Sequence, residues 1–113
     1  MEISKRLAEI QQLLGNYSSS IPNPTKNYTD LIESVMSTGV IPVKYKELIF
    51  IALSLAQRCD WCLAYHLRLA MENDVTEDEM NEAAFLALLM AGTPALMESI
   101  KMKQYLQELK QDH

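Results

Sequence analysis

Apolar residues recur along this chain at spacings of three and four, and no stretch alternates with period two for long enough to suggest a strand. Ile3, Leu7, Ile10 and Leu14 stand among polar neighbours in MEISKRLAEIQQLLGNY, the pattern of an amphipathic helix. That helix is expected to end near Gly15, because GNYSSSIPNPTKN is rich in serine, proline and asparagine and reads as a loop. YTDLIESVMST gives a second helix, with Leu31, Ile32, Val35 and Met36 on one face and Gly39 as its stop. Pro42 suits the first turn of a third, VKYKELIFIALSLAQ, where a missing N–H forfeits no hydrogen bond.

RCDWCLAYHLRLAMEN follows as a separate helix after a kink, with Asp60 a candidate N-cap. No glycine separates it from the next helix, so Asn73 or Asp74 has to take the left-handed turn, which both tolerate better than most residues. Thr76-Glu-Asp-Glu79 is a capping box opening a helix that runs through EAAFLALLMA to Gly92. Thr93-Pro94 then starts the last helix, apolar at Leu96, Met97, Ile100, Tyr105, Leu106 and Leu109. The expectation is one all-α domain over residues 1–113, a compact bundle of about six helices without internal repeat or linker.

The third and fifth helices are apolar on nearly every side. Such a helix must be covered all round, and a chain of 113 residues has little interior to do it. An uncovered stripe marks an interface, so a homo-oligomer is expected. About half the residues are apolar, enough to build a core. A net charge of −5 argues against sequence-blind binding of nucleic acid or anionic membrane. The amphipathic N-terminus lacks the continuous apolar run of a signal peptide, and LIFIALSLA is too short to cross a bilayer. A cytoplasmic location is therefore expected, where cysteine pairs are more often reactive or metal-binding than structural.

Both cysteines lie in RCDWCLAYH, residues 58–66, together with the single tryptophan and a histidine. On a helix, Cys59, Cys62 and His66 share one face, and a pair three residues apart has its Cα atoms about 5 Å apart, within disulfide range. A thiol at a helix start is further favoured as thiolate by the helix dipole. His66 can accept a proton or hold the thiolate by charge. The thioredoxin reading fails, since no βαβ unit surrounds the motif. Two alternatives stay open: buried cysteines that merely pack, and a zinc sphere of Cys59, Cys62, His66 and Glu47, which lacks the second ligand pair usual in structural sites.

Lys46-Glu47-Leu48-Ile49, Ala52, Cys59-x-x-Cys62-x-x-x-His66, Thr76-Glu-Asp-Glu79 and Glu82-Ala83 together resemble the carboxymuconolactone decarboxylase superfamily, in its AhpD-like alkylhydroperoxidase branch. The likeness spans roughly residues 28–110, and Glu47 falls twelve residues before Cys59, as in that branch. The true decarboxylases lack the cysteine pair. The resemblance implies an all-helical fold assembled as trimers or hexamers, no cofactor, and a thiol peroxidase. Cys62 would attack the hydroperoxide, Cys59 would resolve the sulfenic acid, and Glu47 with His66 would relay protons. A lipoyl or thioredoxin-like dithiol would restore the thiols. Alternatives in the same fold are a redox-sensing or zinc-holding assembly protein and, more remotely, a lactone decarboxylase. One position departs from the pattern: Trp61 stands where the branch carries a further relay histidine, and an indole cannot shuttle protons.

Overall fold

The computed structural model describes residues 1–37 and 39–111. Among them are six helices and no strand: α1 Glu2–Ser20, α2 Pro22–Ser37, α3 Val43–Gln57, α4 Asp60–Glu72, α5 Glu77–Ala91 and α6 Thr93–Gln111. Thr38, expected as the last residue of the second helix, lies outside the described residues.

The largest departure from the sequence expectation is at residues 15–27. α1 continues to Ser20, and α2 begins at Pro22, so that Ile21 alone separates two helices where a long loop is expected. Pro22 explains the break, because the residue before a proline is pushed out of the helical region; Ile21 sits at φ −137°, ψ 71°. Pro22 and Pro24 then occupy the first turn of α2, where neither removes a bond that the helix would otherwise make. Gly15 is an ordinary helical residue.

Four helices build the core. α3 packs on α4, α5 and α6, and alanines at 64, 70, 84 and 87 let the backbones approach closely. Ile51, Leu55, Leu63, Leu67, Met80 and Met102 fill the centre and are almost wholly buried. Each such side chain contributes about 1.5–3 kcal/mol by leaving water. α1 closes one side by packing against α4 and α6, with Ile3 inserted into the core. α2 lies mainly on α1 and touches α3 only lightly.

The turns follow local chemistry. Asp74 takes the left-handed conformation, at φ 63°, as its position demands. Thr76 and Glu79 form the capping box in both directions, and Gly92, at φ 83°, ends α5 and turns the chain into α6. α5 is not covered on all sides. Phe85, Leu86, Leu89 and Met90 are exposed, the last two by 80% and 91%. No helix among the described residues is long and apolar enough to cross a membrane.

Candidate active site

α3 and α4 are joined by only Arg58 and Cys59. Arg58 adopts the left-handed conformation, and the N–H groups of Arg58 and Cys59 bond to the carbonyls of Leu55 and Ser54. This helix ending reverses the chain within two residues. Cys59 is therefore delivered directly onto the N-terminus of α4, where its Sγ accepts the Cys62 N–H at 3.2 Å. The N-cap is thus Cys59, correcting the expectation for Asp60, which instead is the first helical residue, where its charge favours the helix dipole.

Cys59 and Cys62 are joined as a disulfide, with Cα atoms 5.2 Å apart. Cys59 is half-buried and Cys62 exposed. The two sulfurs converge even though Cys59 lies outside the helix proper. Cys62 is in the first turn of α4, where the unpaired N–H groups stabilise negative charge on a freed sulfur.

His66 follows one turn later on α4. Its Nδ1 is 2.8 Å from Oε2 of Glu47, which α3 brings in from nineteen residues away. Glu47 is only 1% exposed. With Nδ1–H donating to the carboxylate, Nε2 is left as the proton acceptor of the ring. Phe50 stacks on the imidazole with centroids 4.3 Å apart and planes 7° from parallel, and Tyr65 meets it edge-on at 5.1 Å. Hydrogen bond, stack and edge contact fix the ring in three directions.

A second cluster surrounds the residues between the cysteines. Asp60 accepts from Arg6 Nε at 2.8 Å and from the Tyr105 hydroxyl. Arg6 also donates to Glu9 at 2.6 Å, and its guanidinium lies 5.3 Å from the centroid of the Trp61 ring, whose Nε1–H donates to Glu9 at 3.3 Å. Burial pushes the Asp60 carboxyl up, but the hydroxyl of Tyr105 and the guanidinium of Arg6 outweigh it and hold the group below the usual carboxylate range. The motif turn is so clamped between α1 and α6. Nothing in the sequence ties Arg6 or Tyr105 to the motif, since each lies far from the cysteines along the chain.

Cys62, His66 and Glu47 all face one groove of about 800 Å³, whose walls are otherwise mostly apolar side chains of α1 and α2. Trp61, Tyr65 and Tyr28 line it as well. Of the four candidate residues, Glu47, Cys62 and His66 thus share the groove, and Cys59 is joined to it through the disulfide with Cys62. Among the described residues, no cluster of three or more His, Cys, Asp and Glu side chains is disposed to hold a metal ion.

The family model for carboxymuconolactone decarboxylases matches residues 22–102. The chain belongs to the carboxymuconolactone decarboxylase family. It is similar to a crystallised member of this family from Legionella pneumophila, with a TM-score of 0.89 and 25% identity, covering 95% of this chain and 96% of that one. A member from Thermotoga maritima, for which an antioxidative role has been suggested, superposes with a TM-score of 0.82 at 28% identity, covering 93% and 90% of the two chains. An uncharacterised protein of Cupriavidus necator is 26% identical over 108 residues, 96% of either chain. The family members share the all-α fold, and within it the cysteine pair makes the AhpD-like branch the fitting comparison.

Proposed function

We propose that this protein is a thiol-dependent peroxidase whose Cys59–Cys62 pair reduces hydroperoxides. The observation that carries the reading is a disulfide at a helix N-terminus whose more exposed cysteine, Cys62, shares a groove with the Glu47–His66 pair. In the reduced protein the Cys62 thiolate attacks the terminal oxygen of the hydroperoxide. Nε2 of His66 has taken the Cys62 thiol proton; the O–O bond breaks, an S–O bond forms, and the departing alkoxide takes that proton back from Nε2, leaving an alcohol and Cys62 sulfenic acid. Cys59 then attacks that sulfur, forming the disulfide and releasing water before further oxidation can occur. A dithiol of lipoyl or thioredoxin type returns both thiols by exchange and is itself oxidised.

Cys62 suits the attacking role because it is the more exposed of the two cysteines and the one lining the groove. Glu47 orients the imidazole and balances its positive charge. The antioxidative role suggested for the Thermotoga relative points the same way. Lactone decarboxylation, the activity in the family name, gives the dithiol no task. The uncovered apolar face of α5 is assigned to contacts between copies of the chain, in an assembly of cytoplasmic subunits.

The test is the intact mass of metal-free, reduced protein after alkylation, with and without one equivalent of hydrogen peroxide. Exposure should block both cysteines to the alkylator and remove two hydrogens from the mass. Cys62→Ser should abolish peroxide consumption. Two free thiols after exposure, or undiminished consumption by the variant, would sink the mechanism.

A further inference from the structure

Two residues separate the cysteines, and both are gripped from outside the helix that carries them. Asp60 accepts from Arg6 Nε of α1 at 2.8 Å and from the Tyr105 hydroxyl of α6. Trp61 lies under the Arg6 guanidinium, 5.3 Å from its ring centroid, and donates its Nε1–H to Glu9 of α1 at 3.3 Å. Arg6 also binds Glu9, at 2.6 Å, so one cation ties the two grips together. The side chains of Arg6 and Asp60 are only 22% and 14% exposed, which sets this pair apart from solvated ion pairs that contribute little. Arg6, Glu9 and Tyr105 all lie outside residues 22–102, the span that the family model matches, whereas Asp60 and Trp61 lie inside it. Family membership therefore assigns no role to the grip.

Cys59, Asp60, Trp61 and Cys62 form a small ring closed by the disulfide, with the cysteine Cα atoms 5.2 Å apart. Reduction replaces the bond by two sulfurs that come no closer than van der Waals contact, so the turn has to open to admit them. Partners that hold Asp60 and Trp61 from α1 and α6 oppose that opening. We infer that Arg6, Glu9 and Tyr105 are positioning residues that hold Asp60 and Trp61 in the closed turn and so make the Cys59–Cys62 pair harder to reduce. Coupling of this kind is reciprocal: the factor by which the cluster favours the disulfide is the factor by which the disulfide favours the cluster. It holds for the disulfide itself, whatever oxidises the thiols.

The experiment equilibrates the protein with mixtures of reduced and oxidised dithiothreitol and counts free thiols by alkylation and intact mass. One dithiothreitol gives up two electrons and two protons, becoming its cyclic disulfide, and one protein disulfide becomes the dithiol. No peroxide is present. Tyr105→Phe leaves every charge in place and should favour the dithiol roughly fivefold, at the lower end of the usual range for coupled sites, or about 20 mV. Asp60→Asn should favour it about tenfold or more, about 30 mV, because it also removes a negative charge that disfavours a thiolate nearby. Thr76→Ala is the control: its hydroxyl caps α5 by bonding Glu79 rather than this cluster, so its loss destabilises the fold and should leave the equilibrium within about twofold. Reciprocally, urea should unfold the Tyr105→Phe disulfide form with a larger loss relative to wild type than the dithiol form shows, by the same factor.

A Tyr105→Phe equilibrium within about 1.5-fold of wild type, below any useful coupling, or one shifted toward the disulfide, would overturn the inference. So would equal stability losses in the two redox forms, or a Thr76→Ala shift as large as that of Tyr105→Phe, which would reduce the effect to general loosening. Circular dichroism checks the fold of each variant in both redox forms. If Asp60→Asn does not fold, Arg6→Lys takes its place, since it keeps the charge and loses the Nε bond to Asp60. Neither result touches the peroxidase reading, because a pair of any potential either consumes peroxide or does not.

Discussion

Replacing Tyr105 by Phe removes one hydroxyl from the cluster that clamps the cysteine turn and leaves the ring in place. Tyr105 is buried on α6, and its hydroxyl donates to Asp60, the first residue of α4. Burial and the neighbouring Asp60 carboxylate push the phenol well above its ordinary value, while the hydroxyl helps hold Asp60 below its own. A hydrogen bond to a charged group contributes about 1.5–3 kcal/mol, and Arg6 remains as the second partner of Asp60. The expected loss is therefore about 2 kcal/mol at pH 7, or roughly 8 °C in Tm for a chain of this length. The pH dependence follows from the two directions. A carboxyl depressed in the fold stabilises above its unfolded value, near about 4, and the gain fades as pH falls through the folded value. A phenol raised in the fold stabilises below its unfolded value, near about 10, and that gain fades as pH rises through the folded value. Urea unfolding of the disulfide form, at one protein concentration throughout, should show a constant gap between wild type and variant from about pH 5 to 9. The gap should narrow on the acid side. A difference below about 0.5 kcal/mol at pH 7, the size of an ordinary surface substitution, or a gap that widens in acid, refutes the reasoning.

Two further outcomes are expected. Glu47→Gln keeps the volume of a buried side chain but not its charge, so the fold should persist while Cys62 oxidation by peroxide slows about a hundredfold, within the usual span of acid–base effects; stopped-flow rates within threefold of wild type would take Glu47 out of the relay. Leu89→Lys with Met90→Lys charges the open face of α5, and sedimentation should shift from an assembly to the monomer. Were that face simply solvated, the sedimentation coefficient would stay unchanged and stability would move by no more than about 0.5 kcal/mol.

What the sequence discloses and withholds divides along physical lines. Helix ends that depend on neighbours in the chain are legible: the Thr76–Glu79 capping box, the stop at Gly92 and the left-handed Asp74 all stand where local chemistry puts them. The serine and proline run of residues 15–27 misleads because composition is ambiguous there. Two prolines at the start of a helix and two inside a loop look alike until packing decides, and α1 gains from extending against α2. The motif announces its chemistry, since Cys59, Cys62 and His66 lie within two turns. Glu47's pairing with His66 is implied only by the family resemblance, because that bond depends on how α3 crosses α4. Phe50 stacking on His66, and the meeting of Arg6 with Asp60 across 54 positions, have no local signature at all.

The same division separates the parts of the site that must be rigid from those free to vary. Glu47, Phe50, Cys59, Cys62 and His66 all come from α3, α4 and the two-residue turn between them. That pair is the heart of the core, so the imidazole and the sulfurs are held by buried packing rather than by the groove they face. The left-handed Arg58 is the conformational cost of so short a turn, about 1 kcal/mol for a residue other than glycine. The opposite wall comes from α1 and α2, and α2 rests mainly on α1. Substitutions at Leu31 or Val35 therefore alter a wall of the groove on a helix other than the two that carry the hydrogen bond between Glu47 and His66. The groove is thus built from a buried half, α3 and α4, that fixes the Glu47–His66 pair and the disulfide, and a peripheral half whose side chains can change independently.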